Sequence, residues 1–206
     1  MRRIFQLLTP AALVVTAGCD NTTKPSGATT VPVHTAPPIS DWEPNARLLE
    51  QLGPAADVDA YQLRPPQGYS FVTSPAIAPG AKAFAWIGTR RNDRTVPMLF
   101  IGVVSPPAEE ANITVEQYLE KRLESVKSGR TSWMQTKPER GRVNGLTFVR
   151  SRWSGTDTET QWNKHGIMYA TRDGSTFIHL HIQDSEPHHE ETLRLAEAAV
   201  LTFKRK

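Results

Sequence analysis

Residues Gln161–Gln183 read QWNKHGIMYATRDGSTFIHLHIQ, and their pattern decides the class of fold. Two β-prone runs flank Asp173-Gly174, a dipeptide that tolerates the positive φ angles of a tight type I′ turn. The stretch therefore predicts an antiparallel hairpin of Gln161–Arg172 with Ser175–Gln183. Upstream, Asn144-Gly145 joins Met134–Val143 to Leu146–Trp153 in the same manner. Earlier still, Ala81–Arg90 (AKAFAWIGTR) and Val96–Val104 (VPMLFIGVV) flank the polar cluster Arg91-Asn92-Asp93-Arg94, a third hairpin. The first strands are expected from about Asp57, where Tyr61–Leu63 precedes a Pro65-Pro66-Gln67-Gly68 turn and Tyr69–Val72.

Two helices punctuate these strands. Thr114-Val115-Glu116-Gln117 fits a capping box, and Val115, Tyr118, Leu119, Arg122 and Val126 fall on one face before Gly129. The second helix is expected from Pro187 to about Leu201, with Glu190 and Glu191 where the macrodipole favours acids. Leu193, Ala196, Val200 and Phe203 form its apolar stripe. The order is strands, helix, antiparallel strands, helix, which predicts an α+β domain: an antiparallel β-sheet with two main helices packed on it.

This order and its local words resemble the PsbP-like fold family. The words are Pro66-Gln67-Gly68-Tyr69, Thr114-Val115-Glu116-Gln117-Tyr118-Leu119, Val143-Asn144-Gly145-Leu146, the Asp173-Gly174 turn and Thr202-Phe203. They span about Tyr61 to Phe203. The family includes an extrinsic subunit of the oxygen-evolving complex, a small Ran-binding nuclear-import factor and DcrB-type bacterial lipoproteins. The resemblance implies an α-β-α sandwich and a binding or assembly role without an active site, and it names no ligand.

The N-terminus reads as an address. Met1-Arg2-Arg3 precedes the mostly apolar stretch Ile4–Thr16, too short for a membrane span and about as long as a signal-peptide core. It closes on Val15-Thr16-Ala17-Gly18-Cys19, which resembles the lipobox of bacterial lipoproteins, with Thr16 where Leu is usual. The resemblance implies cleavage after residue 18 and lipidation (palmitate-type acylation) of Cys19, leaving the domain without a thiol. Ordinary secretory cleavage after Ala17 is the alternative, and a mitochondrial presequence fits less well because two Arg make a poor amphipathic helix. Residues 1–18 are thus expected to be a signal peptide and 19–56 a Pro/Thr-rich tether with a short helix at Asn45–Leu52. Residues 57–206 are expected to form a single domain, long enough for one core. The implied place is the cell envelope, anchored to a bacterial membrane, with the domain facing the periplasm or exterior.

The chain carries 24 Lys+Arg against 21 Asp+Glu, a net charge of +3, which does not argue for nucleic acid. One Cys excludes an intramolecular disulfide and any Cys-pair zinc module. No GxSxG elbow, GxxxxGK phosphate loop or GxGxxG turn occurs. No cofactor is expected beyond the covalent lipid at Cys19. The expected partners are a membrane, through the lipid anchor, and an unidentified envelope protein or ligand, with no nucleic acid.

Two clusters are candidate sites. On Thr176–Ile182, alternation puts Phe177, His179 and His181 on one face, with His188 and His189 close behind. These imidazoles could serve zinc or copper, and a metal-binding protein or metal-dependent enzyme is the alternative function. Equally, His on the polar face of a strand and in a helix's first turn reads as solvated side chains. Arg150 and Arg152 alternate on one strand, with Lys164, Arg140 and Arg142 on expected neighbours, a candidate surface for anionic groups. A solvated sheet face explains the same residues.

Overall fold

The computed structural model describes residues 39–73 and 80–206. The expectations for the signal peptide, Cys19 and the start of the tether fall outside the described residues. From residue 39 onward the elements are α1 (Ala46–Leu49), β1 (Ala56–Val58), β2 (Tyr61–Leu63), β3 (Ser70–Thr73), β4 (Ala81–Ile87) and β5 (Met98–Val104). There follow α2 (Val115–Lys127), β6 (Arg130–Gln135), β7 (Glu139–Val143), β8 (Leu146–Asp157), β9 (Asn163–Asp173), β10 (Thr176–Ser185), α3 (His189–Val200) and β11 (Lys204–Arg205). A single 3-10 turn, Ala108–Glu110, precedes α2.

Eight strands form one antiparallel sheet in the order β3-β4-β5-β10-β9-β8-β6, with β7 also pairing β8. A second sheet of three strands has the order β1-β2-β11. The architecture is α+β, as the turn chemistry and helix periodicity predict.

The large sheet is covered on both faces. Strand β10 shows why: Phe177 belongs to the apolar cluster under Tyr118, Leu119 and Leu123 of α2. Its alternate residues Ile178, Leu180 and Ile182 belong to the cluster under Leu193, Ala196, Ala199 and Val200 of α3. Phe203, just past α3, is fully buried and stacks on Tyr61 of β2 with ring centroids 5.0 Å apart. Each such large side chain contributes about 1.5–3 kcal/mol by leaving water.

The local signals resolve as follows. Thr114 and Gln117 form the expected capping box, each satisfying the other's backbone N–H. Asn144 and Gly145 both take positive φ, 46° and 82°, between the paired residues Val143 and Leu146, a type I′ turn. The last hairpin shifts by one residue. Asp173 pairs with Thr176, so the turn is Gly174-Ser175 with positive φ (59°) at the glycine, as a type II′ turn requires. Asp173 stays in the ladder, where its carboxylate accepts from the Tyr61 hydroxyl at 2.8 Å and from Arg205.

Four boundaries differ from the sequence expectation. The run Met134–Val143 divides into β6 and β7, which pair with opposite ends of β8, because Pro138 between them cannot donate to a ladder. Pro187 precedes α3 rather than opening it, and His188 stands at the N-cap. The helix at Asn45–Leu52 is a single turn, capped by the Asn45 side chain at 2.9 Å. It ends against the Arg64 guanidinium, which donates to the carbonyls of Leu49, Leu52 and Gly53. Finally, the domain starts before residue 57. The Trp42 amide donates to Arg142 O and the Arg142 amide to Ser40 O, both at 2.9 Å, a parallel bridge on the outer edge of β7. The Trp42 indole then lies against Gly141, where an added Cβ would meet the ring at 2.0 Å.

Candidate functional site

The four histidines divide between the two faces of the sheet. His179 and His181 point toward α2, and His188 and His189 open α3 on the opposite face. His179 is buried, with Nδ1 hydrogen-bonded to the Tyr118 hydroxyl at 2.8 Å, and its ring occupies space left open by Gly102 on β5. His181 is buried beside Trp153, ring centroids 5.5 Å apart. Burial pushes both imidazoles down to about 3, helped by Arg122 near His179 and Arg130 near His181. They are therefore neutral at neutral pH. His188 Nε2 lies 3.0 Å from Asp93 of the β4–β5 loop. His189 stacks on His165 with centroids 3.8 Å apart, and His165 in turn hydrogen-bonds Glu186 at 2.9 Å. Among the described residues no three His, Cys, Asp or Glu side chains converge as metal ligands. The four imidazoles do not form the cluster that their sequence spacing suggested, because one pair faces α2 and the other opens a helix on the far side.

The basic candidates are also divided. Arg150 and Arg152 share the α3 face of β8. Lys164 alternates with Met168 and Ala170, which pack under α2, and it pairs with Asp157 at 2.8 Å. Its ammonium, two hydrogen bonds from Thr160 and Lys164's position beside it hold the Asp157 carboxyl well below the usual range. Lys164 is thus not part of one surface with the two arginines. Arg140 pairs with Glu116, and Arg142 lies 3.8 Å from Asp41.

What the structure does bring together lies around Glu197, an α3 residue that the sequence reading did not single out. Its Oε1 accepts from the Tyr169 hydroxyl at 2.6 Å and from Arg150 at 2.7 Å, and its Oε2 accepts from Arg152 at 3.1 Å. Burial and the Glu197 carboxylate push the Tyr169 hydroxyl far above its ordinary value, so it remains a donor. Arg150 also binds Glu139 at 3.0 Å and lies over the Trp42 ring, 4.2 Å from its centroid. Two of these residues were readable in principle. Trp42 is a lone aromatic in a Pro-, Thr- and Ser-rich segment, and Glu197 lies one helical turn from Arg194.

Beside this cluster runs a groove made of three cavities of about 460, 340 and 260 Å³. Arg152 lines all three. The first has Trp42 in its wall and shares Arg194 with the second. The second has Trp153, Gly166 and Leu193 in its walls and the stacked His165 and His189 at its side. The third continues past Trp153 to Met134, the most exposed large apolar side chain described. A second polar knot ties the β4–β5 loop to α3. Arg91 binds Asp184 through both guanidinium nitrogens, at 2.9 and 2.8 Å, and Thr192 donates to the same carboxylate at 2.6 Å.

No family model matches the chain, and no curated protein matches its sequence. Solved structures do match in fold. The solution structure of cyanobacterial PsbP (CyanoP) from Synechocystis sp. PCC 6803 is similar at a TM-score of 0.53 with 14% identity, covering 71% of this chain and 87% of that one. LpqN of Mycobacterium tuberculosis, whose structure is described as involved in cell envelope biogenesis, is similar at a TM-score of 0.44 with 11% identity, covering 69% and 79%. A crystal structure from Bacteroides thetaiotaomicron is similar at 0.46 with 9% identity, covering 71% of this chain and 45% of that one. The chain therefore has a PsbP-like fold, and at these identities the likeness extends to fold alone.

Proposed function

We propose that the protein is a cell-envelope lipoprotein, anchored through Cys19, whose PsbP-like domain is a non-catalytic binding or assembly module. The observation that carries the reading is the use made of the reactive side chains. His179, Asp184, Tyr169 and Glu197 are each committed to a structural partner inside the domain, while a groove of three cavities stays open beside α3 and on to β6. A groove with a few convergent polar groups is the ordinary form of a ligand site. The sequence Val15-Thr16-Ala17-Gly18-Cys19 supports the anchor, and no described helix is long and apolar enough to cross a membrane.

Mass analysis of the mature N-terminus tests the anchor: an acylated Cys19 is expected, and a free amine at Gly18 overturns it. Crosslinking in the native envelope, followed by mass spectrometry, tests the module. Adducts are expected on Arg152, Arg194 and their neighbours along the groove. Adducts scattered evenly over the surface of the domain count against it.

A further inference from the structure

Arg152 and Arg194 differ from the other arginines of the α3 face in what their donors do. Arg150 has a partner on each of its three guanidinium nitrogens, among Glu139, Glu197 and Tyr169. Arg152 uses one nitrogen, Nη2, on Glu197, which leaves its Nε and Nη1 donors without a partner among the described residues. Arg194 has neither a hydrogen bond nor an ion pair among the described residues. Both arginines line the same two cavities, from β8 and from α3. A shared space faced by two guanidinium groups with unspent donors is complementary to a planar or tetrahedral oxyanion, which takes two such forks at once.

The acids nearby do not cancel this. Glu197 is already divided among Arg150, Arg152 and Tyr169. Glu190 is the one carboxylate that lines the middle cavity; Asp41 and Glu43 line the first cavity and not the middle one. The remaining side chains there are Leu193 and the stacked imidazoles of His165 and His189, while the Trp153 ring turns to the α2 face and leaves its backbone to the wall. Cationic donors on the rim over an aromatic and aliphatic floor select an amphipathic anion rather than a bare one.

We propose that Arg152 and Arg194 form an oxyanion subsite in the middle of the groove, binding the phosphate or carboxylate of a ligand whose apolar part rests on Leu193 and the stacked rings of His165 and His189. The subsite deepens the binding-module reading by giving it a ligand class. It does not depend on the lipid anchor.

The test is calorimetric titration of the full-length protein with naphthyl phosphate and, as the uncharged counterpart, naphthol. Naphthyl phosphate should bind at least about tenfold more tightly, the effect of one charge-assisted contact. Arg194→Gln should lose about that factor for naphthyl phosphate and none for naphthol. Because Arg194 holds no hydrogen bond or ion pair among the described residues, the melting temperature should stay unchanged. Arg90→Gln, on another cavity at the opposite flank of α3, should change neither affinity. Equal binding of the two probes overturns the subsite, and so does an equal loss in Arg194→Gln and Arg90→Gln, which would mean general attraction.

Two further arms separate the sources of the oxyanion. Arg194-dependent binding to phosphatidylglycerol vesicles over phosphatidylcholine vesicles identifies a lipid headgroup. Arg194-dependent competition by inorganic phosphate identifies a free anion. Failure of every arm removes the subsite and leaves the mass of the mature N-terminus and the envelope crosslinks to judge the broader function independently.

Discussion

The Tyr118 hydroxyl of α2 lies 2.8 Å from Nδ1 of His179 on β10, joining helix to sheet through one of the two imidazoles buried between them. Both of those imidazoles are held down at about 3, first by burial. The unfolded chain binds their protons near pH 6.5, well before the folded one does. Their contribution to stability is therefore complete above about pH 6.5 and is lost progressively as pH falls toward 3.

At pH 5 each of these histidines should cost about 2 kcal/mol relative to pH 7. His181→Leu should remove roughly one such share of the acid sensitivity. Urea unfolding at the two pH values measures it. An identical pH dependence in His181→Leu and the wild type would show that His181 is not held neutral by the fold.

Gly141→Ala should destabilise the domain by about 1–3 kcal/mol through overpacking, because the new methyl group falls on the Trp42 indole. Trp42→Ala should relieve the clash, so the double variant should be no less stable than Trp42→Ala alone. Thermal melts of the three variants form the cycle. Additive losses would mean that the ring and Gly141 do not meet in solution.

Asp184→Ala should cost about 3–5 kcal/mol, since it leaves Arg91 and Thr192 facing a buried vacancy in place of a carboxylate. The Asp184 side chain is 0% exposed and that of Arg91 25%, so the lower end of the range is expected. Chemical denaturation of the single and double variants gives the coupling. A coupling near zero would reduce the pair to a surface contact.

Glu197→Gln should cost about 1–3 kcal/mol, because it weakens three donors' hydrogen bonds at once without emptying the site. The Tyr169 hydroxyl should also titrate at lower pH once the adjacent negative charge is gone. Ultraviolet titration of the tyrosines reads this directly. An unchanged profile would contradict the contact.

The hairpins and helices were legible because their signals are local: Asn144-Gly145 dictates its own turn, and Thr114 with Gln117 its own cap. The placement of His179 and His181 was half legible. Alternation put them on one face, but a sheet covered on both sides buries that face as well, which no period-two pattern reveals. Leu123 completes the α2 stripe beside Tyr118 and Leu119, with the Arg122 guanidinium, expected on the buried face, standing over the Tyr118 ring. The groove was not legible. Arg150 and Arg152 announced a basic strand, but their carboxylate partner lies in α3, and only tertiary packing shows which guanidinium donors it leaves unspent.

The seat of Trp42 has a consequence for the order of assembly. Its slot is built from Gly141 on β7, Arg150 on β8 and Tyr169 on β9, and Arg150 is steadied by Glu197 in the last helix. The slot of the earliest of these described residues to be synthesised is therefore complete only with the latest in place. Such long loop closures are entropically expensive and come late in folding. The Trp42 segment is the clasp of the domain, a closure that draws on parts of the chain made long after it.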